Sequence, residues 1–301
     1  MENSELPETL RKFEIPGRIT FARGHAGLPR VLLATGRSAA EIYLHGAHVT
    51  AFQKTGEPPL LFLSRGSRFG AGEAIRGGVP ICLPWFGPRE GAGTHGFART
   101  AEWELMAASV VAGDGLAVRF RLPASAAGAA WPPFDTEFAV TVTDRLALEL
   151  RTTNRSPDRV LEFENCLHTY FAVGDVEQIT LGGLAGAPFL DFAAGAGGVR
   201  REGENSPVRI TRETNRVYVD TTEAVEIRDR QLRRTIRVEK SESRSTVVWN
   251  PWTTQKMPDD FDPAEHRRMV CVESGNVKAN RLALPPGQTA ALRVWLSSRA
   301  D

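Results

Sequence analysis

The side chain with the most suggestive setting for chemistry is a histidine inside an apolar run. His168 lies within Asn165–Phe171, where period-two alternation places it on the face shared with Glu164, Cys166 and Tyr170. An imidazole titrates near neutral pH, which suits a general acid. Position alone does not separate this role from that of a core histidine whose ring nitrogens are satisfied by hydrogen bonds.

A carboxylate in a second apolar run has an equally unusual setting. Glu273 ends the run that begins at Met269, and the segment Ser274–Asn276 follows it. A buried carboxylate costs free energy unless it is partnered or used. Partial burial would raise its pKa above the ordinary value of about 4.3 and make it a stronger base. A buried structural salt bridge is the alternative.

Arginines beside glycines in residues 64–99 could bind an anionic group. Arg76 precedes a Gly-Gly pair, and Arg99 closes the segment Thr94–Arg99. Glycine permits close backbone approach, while a guanidinium group offers two parallel donors to a phosphate. The spacing matches no Walker or Rossmann glycine pattern. The alternative is that these arginines are solvated or pair with nearby carboxylates, namely Glu73, Glu90 or Glu102.

Two further side chains are candidates on weaker grounds. His95 lies between Thr94 and Gly96 in a turn, where an isolated histidine is more often structural than catalytic. Trp249 begins the segment Trp249–Trp252, whose aromatic rings could stack on the C–H face of a sugar. Equally, two tryptophans in a turn could seal the end of a sandwich.

The histidines and cysteines predict neither a metal site nor a disulfide framework. His45 and His48 are three residues apart on a strand-like segment, so their side chains should face opposite sides and serve structural roles. The three cysteines are widely spaced and odd in number, without a CxxC pair. They predict free thiols in a reducing cytoplasm, and no cofactor is expected.

Composition argues against several classes of partner. The 301 residues carry 37 basic and 36 acidic side chains, so a net charge of +1 gives no global attraction for nucleic acid or an anionic membrane. The polar N-terminus lacks a signal-peptide pattern, and no apolar stretch approaches membrane-spanning length. We therefore expect neither a nucleic-acid partner nor a membrane partner. We also expect a cytoplasmic monomer whose partner is a small molecule, although composition does not fix the oligomeric state.

The elements that must position these residues are mainly short strands. Apolar residues alternate with polar or small ones along 138–142, 146–150 and 292–296, which indicates strands with one buried face. Further strands are predicted over about 30–36, 40–53, 116–122, 159–173, 223–229, 234–240, 245–249 and 268–273. Only Pro7–Phe13 and Asp262–Arg268 are predicted to be helical, the second with an aspartate cap and a proline in its first turn.

This pattern predicts an all-β fold, a large antiparallel β-sandwich, in a single domain over residues 1–301. Two stretches depart from the strand pattern. Residues 64–99 are dense in Gly, Pro and Arg and predict a long ordered loop that carries function. Residues 182–206 are rich in Gly and Ala and predict a surface excursion with little chemistry.

Five segments together resemble the aldose 1-epimerase superfamily, specifically its D-hexose-6-phosphate mutarotase branch. They occur in the family's order and are Ala74–Pro80, Thr94–Arg99, Leu167–Phe171, Val248–Trp252 and Val270–Asn276. The resemblance implies a galactose-mutarotase-like β-supersandwich. It also implies an isomerase that interconverts the α and β anomers of a phosphorylated hexose without a metal, nucleotide or redox group.

The resemblance implies a role for most of the candidates. Glu273 would be the general base, and His168 the general acid. His95 would help to hold the sugar. Arg76 and Arg99 would bind the 6-phosphate, which distinguishes this branch from mutarotases of unphosphorylated galactose.

Recognition of the sugar hydroxyls is the least determined part of this hypothesis. The family commonly has an aspartate where this chain has Asn215. An asparagine can still hydrogen-bond to hydroxyl groups but carries no charge, so the preferred hexose stays open. Trp249 is the other residue predicted to contact the sugar.

Two rival functions stay open. A carbohydrate-binding protein or sugar-phosphate sensor on the same fold would explain the tryptophans and arginines but has no use for a His/Glu pair. A lyase or hydrolase is the second rival, although a hydrolase usually needs two carboxylates flanking the bond and one is convincing here. Accelerated anomer exchange would favour the epimerase, and bond cleavage would favour the second rival.

Overall fold

Strands dominate the structure, a computed structural model that describes residues 6–127 and 130–301. In chain order the strands are β1 Ile19–Arg23, β2 Pro29–Ala34, β3 Ser38–Tyr43, β4 His48–Lys54, β5 Ile81–Cys82, β6 Pro88–Arg89, β7 Gly93–Thr94, β8 Glu104–Val111, β9 Gly115–Leu122, β10 Phe134–Val142, β11 Leu146–Asn154, β12 Leu161–Phe163, β13 Asn165–Leu167, β14 Tyr170–Ala172, β15 Ile179–Gly182, β16 Phe189–Asp191, β17 Val199–Arg201, β18 Thr214–Val219, β19 Val225–Asp229, β20 Arg234–Ser241, β21 Ser245–Asn250, β22 Met269–Asn276, β23 Leu282–Leu284 and β24 Thr289–Ala300. The helical elements are α1 Glu8–Arg11 and the 3-10 helices His25–Gly27, Ala98–Thr100, Ala124–Ala126, Val176–Gln178, Pro263–Arg268 and Lys278–Asn280. No helix of the described residues is long and apolar enough to cross a membrane.

Three antiparallel sheets carry the architecture. The N-terminal sheet has the strand order β1-β2-β3-β4, and the long sheet has the order β15-β19-β20-β24-β11-β10-β9-β8. A third sheet, here called the site sheet, has the order β17-β16-β18-β21-β22-β13-β5, and β14 also pairs with β22. The predicted all-β fold and large antiparallel sandwich are confirmed.

The predicted alternation accounts for the core. Phe138 and Val140 of β10 are fully buried and lie opposite Leu150 and Leu148 of β11, and such same-face pairs across strands stabilise a sheet. The site sheet contributes alternate residues of β22, among them Val272, to the same core. Because side chains alternate along a strand, the residues between them face the opposite side of the site sheet.

Three strand boundaries differ from the prediction. The predicted strand 40–53 is divided into β3 and β4, because Gly46 and Ala47 form a turn with φ values of 74° and 44°. The predicted strand 159–173 is divided into β12, β13 and β14. Glu273 lies inside β22 rather than at its end, because residues 274–276 continue to pair with β13 and residues 274–275 also with β21.

The other departures concern helices and loops. The predicted helix Pro7–Phe13 is reduced to α1. The segment predicted to be helical after Asp262 is a 3-10 helix, and the aspartate accepts the N–H of Ala264 as its cap. Residues 64–99 are mainly loop, as predicted. Residues 182–206 are more than a surface excursion, since β16 and β17 extend the site sheet beside β18.

His45 and His48 have structural contacts, as predicted, but not for the predicted reason. His45 precedes β4 rather than lying on it, so strand alternation does not apply. The Nε2–H groups of the two rings donate to the carbonyls of Glu73 and Gly77, at 2.6 and 2.7 Å. Burial lowers the pKa of His48 to about 3, and protonation would also leave Nδ1–H without an acceptor.

Acid is expected to destabilise the fold in part through His48. Its folded-state pKa of about 3 lies below the ordinary value of 6.5, so the unfolded chain binds more protons between these values and stability falls as the pH decreases through that window. Between pH 7 and pH 5 this residue should lower the free energy of unfolding by about 2 kcal/mol. Urea unfolding at both pH values measures the loss. His48→Gln should lose less stability over the same interval, and an equal loss would contradict the assignment.

Candidate active site

Strand register brings His168 and Glu273 side by side. β13 pairs with β22 so that Leu167 lies opposite Ser274, and β14 continues the same register. His168 occupies the gap between these two short strands and therefore lies opposite Glu273. The continuous strand predicted through His168 is wrong, because the N–H of Thr169 turns back to the carbonyl of Leu167 at 2.9 Å instead of pairing with β22.

The two side chains meet almost fully buried. Nε2 of His168 lies 3.3 Å from Oε1 of Glu273, without the alignment of a hydrogen bond. The other carboxylate oxygen, Oε2, accepts a hydrogen bond from the thiol of Cys166 at 3.5 Å. Glu273 is 1% exposed and His168 is 7% exposed. Oε1 of Glu273 and Nδ1 of His168 have no hydrogen-bond partner among the described residues. A core histidine or a buried salt bridge with a purely structural role normally has its polar atoms satisfied, so neither alternative fits.

Burial moves the pKa values of the pair in opposite directions. It raises the pKa of Glu273 well above 4.5, while the hydrogen bond from Cys166 acts to lower it. Burial lowers the pKa of His168 well below 6.5, and the neighbouring His95 and two arginines lower it further. The prediction for Glu273 is confirmed in direction. The near-neutral pKa predicted for His168 is wrong, because a buried site disfavours the imidazolium.

His95 presents a neutral ring edge-on to His168, with the ring centroids 5.3 Å apart. Its Nδ1 accepts the N–H of Gly87 at 3.1 Å, which leaves Nε2–H as the donor. Burial, followed by the charge of Arg99, lowers its pKa to about 3. The predicted turn is confirmed by a φ of 66° at His95. Gly96 is required there, because a Cβ would lie 1.9 Å from the carbonyl oxygen of Leu83.

A cavity of about 570 Å³ brings all the predicted site residues together. Its volume is in the range of small-molecule sites. It lies over the face of the site sheet that carries Glu273. The predicted residues that line it are His168, Glu273, His95, Arg76, Arg99, Asn215 and Trp249.

The two arginines have different surroundings. The guanidinium of Arg76 donates to Asp260 at 3.1 and 3.2 Å and to the hydroxyl of Tyr170 at 3.5 Å. The alternative partners suggested by sequence proximity are therefore wrong, since the carboxylate comes from a distant loop. Arg99 donates to the carbonyl of Thr94 at 2.7 Å, and no ion pair joins it to a carboxylate of the described residues. Arg99 thus has the less neutralised charge at the cavity.

Trp249 and Asn215 lie opposite each other on β21 and β18. The indole N–H of Trp249 donates to Gln255 at 3.0 Å, and the ring is 8% exposed. The ring also packs edge-on against His168, with centroids 6.0 Å apart. Trp249 is therefore both a wall of the cavity and a support for the histidine.

Another part of the cavity lining is aromatic and cationic, and little in the sequence indicated it. It consists of Phe86, Phe192 and Lys278, and the lysine Nζ lies 5.8 and 5.7 Å from the two ring centroids. Phe192 belongs to residues 182–206, for which little chemistry was predicted, and β16 brings it to the site sheet. The signal for Lys278 was its place two residues after the motif that ends at Asn276.

One group of described residues could hold a metal ion. His168, Cys271 and Glu273 offer ligand atoms that lie within 4.8 Å of one another, and such a nitrogen, sulfur and oxygen set would suit zinc. Burial raises the pKa of Cys271 well above 9.0, which disfavours the thiolate that a metal requires. Without a metal, Cys271 is therefore a neutral thiol beside His168 and Glu273.

Known proteins resemble this chain in sequence and structure. Residues 29–297 match the family model described as aldose 1-epimerase. A Cenchrus ciliaris protein provisionally named glucose-6-phosphate 1-epimerase is 32% identical over 287 residues, covering 91% of this chain and 85% of that protein. An Escherichia coli protein with the same provisional name is 36% identical over 250 residues, 78% of this chain and 79% of that protein. A Salmonella typhimurium structure provisionally described as a mutarotase has a TM-score of 0.86 and 26% identity over 96% of both chains.

Proposed function

This chain belongs to the aldose 1-epimerase family of isomerases, and we propose that it interconverts the α and β anomers of a hexose 6-phosphate. Two relatives that match over most of the chain carry the provisional name glucose-6-phosphate 1-epimerase, so glucose 6-phosphate is the first substrate to test. The observation that carries the proposal is the 3.3 Å separation of His168 Nε2 and Glu273 Oε1 beside a cavity lined by Arg76 and Arg99.

The proposed mechanism is acid–base ring opening. Glu273 accepts the proton of the C1 hydroxyl while His168 donates a proton to the ring oxygen, and the bond between C1 and that oxygen breaks. After rotation about the C1–C2 bond, His168 takes the proton back from the C5 hydroxyl as the ring closes. Glu273 returns its proton to the C1 oxygen, which gives the other anomer. Each positioned proton transfer typically contributes about a hundredfold to ten-thousandfold.

The pair carries one transferable proton throughout this cycle. The cyclic sugar faces a carboxylate and an imidazolium, whereas the open-chain aldehyde coexists with a carboxylic acid and a neutral imidazole. Burial disfavours the charged form of both Glu273 and His168. The protein environment therefore favours the protonation state that accompanies the open ring.

Phosphate binding would raise the pKa of His168, the proposed general acid. The positive charges of Arg99 and Arg76 contribute to the lowered pKa of His168. A phosphate group bound to them would offset that charge and raise the affinity of His168 for a proton. His95 Nε2–H and Asn215 would hydrogen-bond to sugar hydroxyls, and Trp249 would form the adjacent wall.

The dependence of kcat/KM on pH tests the shared proton. The acid limb, where His168 binds a second proton, should lie below the ordinary histidine value of 6.5. The alkaline limb, where Glu273 loses the shared proton, should lie well above its ordinary value of 4.5. Initial rates of anomer exchange across the pH range measure both limbs. An acid limb at or above 6.5 would show that His168 titrates as an ordinary histidine.

Exchange NMR of glucose 6-phosphate, with and without the protein, tests the function itself. A rate that rises in proportion to protein concentration, with no new product, is the expected result. Glucose measured in parallel shows whether the phosphate is required. Binding without acceleration would favour the sensor, and cleavage products would favour a lyase or hydrolase.

The proposal includes the setting in which the enzyme works. We propose a cytoplasmic monomer that acts on a small sugar phosphate and needs neither nucleic acid nor a membrane. Cys82, Cys166 and Cys271 are free and buried, which supports a reducing compartment. Light scattering on the purified chain would test the monomer.

A further inference from the structure

A buried thiol contacts the oxygen of Glu273 that does not face His168. Cys166 on β13 is fully buried, and its Sγ–H donates to Oε2 of Glu273 at 3.5 Å. Of the described residues, it is the one that donates a hydrogen bond to this carboxylate. Oε1, which lies 3.3 Å from Nε2 of His168, has no donor. One oxygen is thus held and the other is left for the substrate.

Gly275 allows the thiol to reach the carboxylate. Cys166 lies opposite Gly275 across the strands, and Glu273 is two residues earlier on the same face of β22. A Cβ on Gly275 would lie 2.9 Å from Cα and Cβ of Cys166 and 2.4 Å from the carbonyl oxygen of Asn165. Atoms cannot pack at such distances. The missing side chain therefore leaves room for Cys166 to contact its diagonal neighbour.

We propose that Cys166 is a positioning residue, whose thiol fixes Oε2 of Glu273 so that Oε1 faces the reacting hydroxyl and His168. This inference rests on the proposed function. The last torsion of a glutamate side chain is broad, and a hydrogen bond to one oxygen restricts it. Correct orientation of a base contributes directly to rate. The thiol stays a donor, because burial raises the pKa of Cys166 well above 9.0.

The thiol also affects when the carboxylate binds a proton. Its hydrogen bond stabilises the charged form and lowers the pKa of Glu273, against the larger effect of burial. Loss of the donor should therefore raise the pKa of Glu273. The other titratable groups that interact with this carboxylate are His168, Tyr170, Cys82 and Cys271.

Cys166→Ala, Cys166→Ser and the control Cys82→Ala separate positioning from packing. Cys82 is also fully buried and lies opposite Cys166 on β5, but it donates no hydrogen bond to Glu273. We expect Cys166→Ala to lower kcat about threefold to tenfold relative to Cys82→Ala, with KM for glucose 6-phosphate within about twofold. Its alkaline limb should rise by about half a pH unit to one unit. Cys166→Ser, with a stronger donor, should keep the rate and move that limb to lower pH.

The infrared S–H stretching band gives a readout independent of activity. The difference between wild type and Cys166→Ala should contain the band of a hydrogen-bonded thiol, and Glu273→Gln should shift that band. An unshifted band would overturn the inference. So would equal kcat values and pH limbs in Cys166→Ala and Cys82→Ala on an enzyme that exchanges anomers. A wild-type chain that does not exchange anomers would instead overturn the proposed function.

Discussion

Glu273→Gln is expected to slow anomer exchange about a hundredfold to ten-thousandfold while leaving sugar-phosphate binding almost unchanged. Glutamine has nearly the same volume but cannot accept the C1 proton. The phosphate contacts proposed for Arg76 and Arg99 are remote from C1 and should persist. Exchange NMR measures kcat, and calorimetric titration with glucose 6-phosphate measures Kd.

Glu265→Gln is the matched control for this experiment. Glu265 is also buried, at 8% exposure, and its carboxylate accepts hydrogen bonds from the hydroxyl of Ser64 and the N–H of Arg65. It does not line the cavity, so the variant should exchange anomers at the wild-type rate. A Glu273→Gln enzyme with comparable activity would exclude Glu273 as the base.

Arg99→Ala is expected to lower kcat/KM for glucose 6-phosphate about tenfold to a hundredfold, mainly through KM. Arg99 lines the cavity without an ion pair to a described carboxylate. Loss of a charge-assisted hydrogen bond to the phosphate costs about 1.5–3 kcal/mol. Turnover of unphosphorylated glucose should change little, so the ratio of the two kcat/KM values is the decisive measurement. An unchanged ratio would remove Arg99 from the phosphate site.

Arg76→Ala provides a comparison with a different expected outcome. Its guanidinium is bound to Asp260, which is itself buried at 7% exposure. Removing Arg76 leaves that carboxylate unpaired near the phosphate, so KM should rise and stability should fall together. Arg99→Ala should raise KM without the same loss of stability, and thermal unfolding of the two variants separates these effects.

His168 and Glu273, the proposed acid–base pair, could each be singled out from its own strand, but their proximity in the fold could not be predicted. An ionisable group in an apolar run marks His168 and Glu273 separately. Their 3.3 Å separation depends on the register between β13, β14 and β22, and pairing between segments about a hundred residues apart leaves no local pattern. From the sequence, the resemblance to the family was what indicated that His168 and Glu273 act together.

Other parts of the site depend on folding in the same way. Asp260 lies 184 residues from Arg76 along the chain, so proximity in sequence pointed to the wrong carboxylates. The lowered pKa of His168 follows from burial and from charges that only the folded chain brings near. Phe192 reaches the cavity through edge strands that a Gly- and Ala-rich composition did not predict. The single domain over residues 1–301 stays a prediction.

The proposed acid–base pair and the arginines proposed to bind phosphate belong to different kinds of structure. His168 and Glu273 are placed by adjoining strands of the site sheet, whereas Arg76 lies in a loop and Arg99 in a short 3-10 helix of the mainly irregular segment 64–99. Loops accept substitutions and insertions more readily than a paired strand, where a shift of one residue turns every side chain to the other face. Evolution could therefore change the residues that recognise the sugar phosphate in this segment while it keeps the strands that place His168 and Glu273.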